Sequence, residues 1–377
     1  MIYLDNSATT RVCAEAVERM DRCMREGYFN PSALYGPSLE VKEEMRKIRE
    51  KIALLVHCSG GRTIFVSGGT EADNLAVLGL TASFRDGRIL YSAGEHPAVK
   101  EACKAVKGLA AEEIPYDGHG MVDLERLEKM LGDDVRLIAV MQVNNESGAV
   151  QPLSEIGRLK ERLCPRAFFH VDGVQGFLRI PADMKAWHAD SYALSAHKIR
   201  GPKGCGALVV SSGTRLAPRM LGGGQEGTIR SGTENTPGIL GMGAAIDAWP
   251  GADGLREMKE ALFRGLKESV PSVEVNGPDP MGPDSAPHIL NVSLEPVRSE
   301  TMLHALEGCG ILIGIGSACA SNKQRVSEGL RAMGISRPRA ESALRFSLGP
   351  DNRPEEMAET VRRVREQYDF LSPYTRR

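Results

Sequence analysis

Apolar residues recur at helical spacing early in the chain: Val12, Ala16, Val17 and Met20 precede Gly27, and Val41, Met45, Ile48, Ile52 and Leu55 precede a glycine pair at 60 and 61. Between later helical stretches stand short runs of another kind, at 63–66, 88–91, 137–140, 168–171 and 192–194, apolar and rich in β-branched or aromatic residues. Alternation of such runs with helices predicts a mostly parallel sheet covered by helices. Pro250-Gly251-Ala252-Asp253-Gly254 punctuates the chain, and a new helical pattern (Met258, Leu262, Leu266) follows. Beyond it, strands are expected at 273–275, 289–292, 311–313 and 344–346, separated by helices. The fold class expected is α/β: a large domain over residues 11–250 and a smaller α+β domain made of residues 1–10 and 251–377. Gly222-Gly223-Gly224 and Gly277-Pro278-Asp279-Pro280 predict surface loops.

Composition narrows the function. Lys plus Arg number 47 against 49 Asp plus Glu, a formal charge of −2, which disfavours a polyanion-binding surface and direct contact with nucleic acid. No apolar run reaches the length of a membrane span, and the first residues lack a basic region followed by an apolar stretch, so a cytoplasmic protein is expected. The 8 cysteines are scattered without zinc-finger spacing, and in a reducing compartment most serve as small core residues. No metal site is expected.

Chemistry is sought where open α/β sheets gather ligands, just past the carboxyl ends of strands. Ser67-Gly68-Gly69-Thr70-Glu71 follows a strand and enters a helix, so it is either an ordinary strand–turn–helix or a helix-start site for a single phosphate. Asp172 ends one strand and Lys198, in Ser195-Ala196-His197-Lys198, ends another. The two form a plain salt bridge or the pair that pyridoxal phosphate requires, a Schiff-base lysine and an acid facing the pyridine nitrogen. His96 stands past a third strand and before Pro97, as a structural histidine or as one covering a cofactor ring and exchanging protons. Cys319, among Gly316-Ser317-Ala318 and Ala320-Ser321, lies in a tight turn or supplies a nucleophilic thiol. Arg345, in an apolar strand, needs an anionic partner, a protein acid or a substrate carboxylate.

Taken together these segments resemble the cysteine desulfurases of the NifS/IscS type, in the aminotransferase class V group of fold-type I pyridoxal phosphate enzymes. The likeness also draws on Tyr3-Leu4-Asp5-Asn6-Ser7-Ala8-Thr9-Thr10, Val143-Asn144-Asn145-Glu146-Ser147-Gly148 and Arg230-Ser231-Gly232-Thr233. It implies that Lys198 carries pyridoxal 5'-phosphate, Asp172 pairs with the ring nitrogen, Gln175 meets the ring hydroxyl and His96 stacks on the ring. Gly69, Thr70, Ser195 and His197 would hold the phosphate, with Thr233 reaching across from the second subunit of a homodimer. Asn145 and Arg345 would bind the carboxylate of L-cysteine, and Cys319 would take its sulfur as a persulfide for a sulfur-acceptor protein. Selenocysteine lyase, or another lyase or aminotransferase of this fold, is the alternative. Gly69 and Gly173 stand where the family commonly has alanine, an exchange expected to be tolerated beside backbone turns. The chain stops at Arg377 without the longer tail that housekeeping members use to dock an iron–sulfur scaffold, which favours a dedicated role such as tRNA or cofactor thiolation.

Overall fold

The computed structural model describes residues 1–316 and 327–375. Up to residue 210 the chain runs β1 (Ile2–Leu4), α1 (Ala14–Arg25), α2 (Gly36–Leu55), β2 (Arg62–Val66), α3 (Gly69–Leu80), β3 (Arg88–Ser92), α4 (Pro97–Ala105), β4 (Ala110–Ile114), α5 (Leu124–Met130), β5 (Val135–Met141), α6 (Leu153–Leu163), β6 (Phe168–Asp172), β7 (Ser191–Ser195) and β8 (Gly206–Val210). Among the described residues seven of these strands form one sheet in the order β2-β8-β7-β6-β5-β3-β4. β8 is antiparallel to both its neighbours, so the other six run in one direction. Their carboxyl ends therefore share one edge. That edge carries residues 67–70, 93–96, 142–148, 172–175 and 195–198 from five separate connections.

The mostly parallel sheet and its helices agree with the sequence pattern, with informative exceptions. β1 and β8 fall outside the strand runs expected from the sequence, and β4 was not legible because it is an edge strand reading Ala-Ala-Glu-Glu-Ile, partly exposed and without a clean apolar run. α3 begins at Gly69, so neither Ser67 nor Thr70 is its N-cap; Gly68 is. In α1 the buried residues are Ala16 and Cys23, while Val17, part of the expected apolar face, is exposed.

The rest of the chain adds α7 (Thr236–Asp247), α8 (Asp253–Ser269), β9 (Val273–Val275), β10 (Ile289–Leu294), α9 (Ser299–Gly308), β11 (Ile311–Ile313), α10 (Glu328–Ala332), α11 (Arg337–Glu341), β12 (Ala343–Ser347) and α12 (Pro354–Leu371). β12, β10 and β9 form an antiparallel sheet, and β1 pairs in parallel with β11. Single bridges from Gly314 to Arg345 and from Asp5 to Ser347 join the two sets. Leu4 accordingly packs in one apolar cluster with Leu255, Leu262, Val292, Leu306 and Phe346. Leu330, Met333 and Ala340 pack instead with the cluster behind the large sheet. The loop at 277–280 is not wholly a surface loop, since Pro278 and Pro280 are buried.

Candidate active site

At the end of β2 the chain turns through Ser67 and Gly68 and enters α3 with no side chain capping its first amides. Those N–H groups and the helix dipole leave this turn suited to an anion. The turn packs closely on its neighbours: a Cβ on Gly69 would stand 2.8 Å from Val174 Cγ2, and one on Gly206 would stand 2.8 Å from Gly68 Cα. Glu71 folds back to accept from the Ser67 amide at 2.7 Å and pairs with Arg230 at 2.8 Å. Ser195, the buried last residue of β7, lies beside this turn, and Thr70 faces solvent.

Asp172 ends β6, buried, with Oδ1 accepting the Val174 amide at 2.9 Å. Burial raises its pKa, opposed by that amide and by the charges of His96 and Lys198. Lys198 closes the short turn after β7, and its Nζ donates to the carbonyls of Ala8, at 2.7 Å, and Ser7. Burial, reinforced by the charges of Arg179 and Arg345, pushes Lys198 down to about 7, while Asp5 and Asp172 pull the other way. His96 is the N-cap of α4, its Nδ1 accepting from the Ala98 amide at 3.1 Å. In the neutral ring that hydrogen bond assigns the proton to Nε2. Burial lowers the His96 pKa; Asp172 opposes the shift and Lys198 adds to it. Three groups from three connections thus feel one another's charge.

The N-terminal segment lies against this cluster. Gln175 Nε2 donates to Ser7 O at 2.9 Å, and its Oε1 faces His288 Nε2 at 3.5 Å. His197 Nδ1 meets Thr9 Oγ1 at 3.1 Å, and the His197 carbonyl accepts from Thr10. Burial, with the nearby charges of Lys198, Lys203 and Arg179, pushes His197 down to about 4, so its ring is neutral at pH 7. Arg345 is buried, with Nη2 on Asp5 Oδ1 at 2.8 Å and Nη1 on the Asn145 carbonyl at 2.9 Å, while its Nε has no partner. Of the two partners left open for this arginine, the structure shows a protein acid. Asn145 meets it through the backbone.

The single chain does not bring everything together. Thr233 is exposed, and Cys319 lies outside the described residues. Several contributors escaped the sequence reading: Asp5, the Ser7 and Ala8 carbonyls, and Arg179, which donates to the carbonyls of Lys198 and Gln175. Arg179 carried a signal, an arginine between Leu178 and Ile180, the same kind that singled out Arg345. Backbone carbonyls carry no signal in side-chain chemistry.

A mostly parallel α/β fold with a lysine, an acid and a histidine at one sheet edge defines a class, and the chain matches the model of the aminotransferase class-V family over residues 2–359. It belongs to that family. Over 390 aligned residues it is 37% identical to a cysteine desulfurase of Trichormus azollae, covering 99% of this chain and 95% of that one. It is 35% identical over 386 residues to the cysteine desulfurase IscS of Methanosarcina thermophila, covering 99% and 94% of the two chains. The solved structure of a NifS-like protein superposes with a TM-score of 0.89 at 33% identity, covering 98% of this chain and 100% of that one. The expected fold-type I architecture is thereby borne out.

Proposed function

We propose that the protein is a pyridoxal 5'-phosphate-dependent cysteine desulfurase that converts L-cysteine to L-alanine and carries the sulfur away on Cys319. One observation bears most of the weight: the half-buried Lys198, pushed down to about 7, shares a cluster with the buried Asp172 and the half-buried His96 at the edge where the uncapped helix start of α3 can hold a phosphate. Full-length similarity to proteins named cysteine desulfurase supports the choice of substrate.

The donor set fits the cofactor. The α3 amides at Gly69 and Thr70, with Ser195 and the neutral His197, suit a phosphate; Asp172 suits the ring nitrogen, Gln175 the ring hydroxyl and His96 the ring face. When bound, the cofactor supplies a cationic ring that withdraws electron density from the substrate's α-carbon. Arg345 keeps its Asp5 pair, and its unpartnered Nε together with the Asn145 side chain suits the substrate carboxylate, while the depressed pKa leaves Lys198 Nζ able to take and return the α-proton near neutral pH. His96, with its proton on Nε2, serves as a second proton relay. The reaction balances as L-cysteine plus the Cys319 thiol giving L-alanine plus the Cys319 persulfide, which a sulfur-acceptor protein then discharges.

Exposed Tyr28, Leu34, Tyr35, Leu39 and Leu221, with the exposed Thr233, support a homodimer in which Thr233 completes the partner's phosphate site. Separate apolar clusters support a large domain of residues 11–250 and a smaller one of residues 1–10 and 251–377, bridged where Leu330 and Met333 join the larger cluster. No described helix is long and apolar enough to cross a membrane. Six of the seven described cysteines are buried and all seven are free, which suits a reducing cytoplasm.

The test is anaerobic incubation of the cofactor-loaded protein with L-cysteine and a thiol reductant, following alanine and sulfide for wild type and C319S. Equal alanine and sulfide from wild type, both abolished in C319S, is the expected result. Full turnover by C319S would sink the persulfide route and favour a lyase or aminotransferase. K198A should lose the visible absorbance of the bound cofactor, and an unchanged spectrum would refute its role.

A further inference from the structure

Glu95 precedes His96 and is buried at the sheet's carboxyl edge, yet the roles set out above make no use of it. Its Oε1 accepts from Ser92 Oγ at 2.5 Å and from the Met141 amide at 2.6 Å. Ser92 ends β3 and Met141 ends β5, so one carboxyl oxygen joins two strand ends to the turn that carries His96. Met141 is the register partner of Asp172 across β5 and β6. Asn144 holds the same turn by donating to the Gly94 carbonyl at 3.2 Å.

Glu95 Oε2 is buried and has no partner, and among the described residues no cation lies within ion-pair distance of Glu95. An ionised carboxylate here would bury a negative oxygen without a donor, at a cost of several kcal/mol. A proton on Oε2 removes that charge and leaves Oε1 free to accept both hydrogen bonds.

We propose that Glu95 works as an uncharged acid that positions His96, tying its turn to the ends of β3 and β5 while leaving Asp172 to carry the negative charge facing the cofactor. The groups that face Glu95 agree with this. Asp172 on β6 and Asp73 on α3 are acids, Tyr116 beyond β4 and Cys103 on α4 are buried and neutral, and Lys100 on α4 sits nearer Glu113 and Glu328. Burial first, and Asp172 next, push Glu95 up to about 8, against the pull of the Ser92 and Met141 donors and the Lys100 charge.

The inference rests on reading His96 and Asp172 as cofactor-facing groups, and its test separates the two. Cofactor-loaded wild type, E95Q and E95A are compared by visible absorbance and by thermal unfolding across pH. The amide of E95Q mimics the neutral acid, so its visible band at pH 7 should keep the wild-type wavelength, whereas E95A, with the turn untied, should shift or weaken it. The wild-type native state holds a proton that the unfolded chain gives up above about pH 4.3, so native stability falls as pH rises from there to about 8. E95Q lacks that loss. The melting temperature of E95Q should therefore gain on wild type steadily from pH 5 to 8 and then level off. A gap that does not change with pH, or an E95Q band displaced at pH 7, would overturn the neutral acid; a folded E95A with an unchanged band would overturn the positioning of His96. The melting profile needs no L-cysteine turnover, so it stands even if the desulfurase assay fails.

Discussion

At Gly173 a single hydrogen in place of a methyl decides whether Tyr192 fits. A Cβ there would overlap the Tyr192 ring, whose hydroxyl donates to Gln142 Oε1 at 2.6 Å in the buried layer beside Asp172. The expectation that alanine would be tolerated at this position is therefore corrected, because Tyr192 fills the space. G173A should lower stability by about 1–3 kcal/mol in urea unfolding through overpacking, and adding Y192L should recover most of the loss. Were G173A neutral, the Gly173–Tyr192 fit would not matter. Lys198 yields a second prediction at this scale. Its neutral amine is the form that takes a proton, and with its pKa at about 7 that form grows as pH rises. The rate of alanine formation should climb through pH 7; a rate falling over that range would contradict Lys198 as the base.

Among elements, β1 does most with least. Three residues paired to β11 bring Asp5 onto Arg345 and the Ser7 and Ala8 carbonyls onto Lys198. Arg345 is 2% exposed and Asp5 24%, so their charges meet with little water, unlike Arg200 and Asp351, whose acid is 52% exposed. D5N should cost about 1–3 kcal/mol by leaving a buried guanidinium short of its acid, and D351N less than about 1 kcal/mol. Equal effects in denaturant unfolding would remove the distinction. That Arg345 needed an anion was legible from its apolar neighbours, but which anion was not. The choice between Asp5 and a substrate depends on a strand contributed by the opposite end of the chain, and no local pattern reports that pairing.

For the whole molecule, the prediction is two-fold assembly. Large apolar side chains such as Leu34, 90% exposed, and Leu221, 81% exposed, sit poorly in water, and Thr233 stands exposed on the described chain. Sedimentation should give a dimer. L34D combined with L221D should weaken it, and T233A should bind pyridoxal phosphate less tightly while staying dimeric. A wild-type monomer with full cofactor affinity would end the shared-site reading.

Most helices and strands were readable without the structure, since periods of 3.6 and 2 in apolar residues follow from local geometry, but β1, β4 and β8 were not. So were the site's charged members, because Asp172, Lys198, His96 and Arg345 stand just beyond or within apolar strands where an ionisable group calls for a reason. Only the tertiary structure decided which connections share an edge, that β8 reverses against its neighbours, that Asp5 holds Arg345, and that Tyr192 excludes a methyl at Gly173. Those outcomes depend on contacts between residues tens to hundreds of positions apart, settled by burial and by the demand that each buried polar group find a partner.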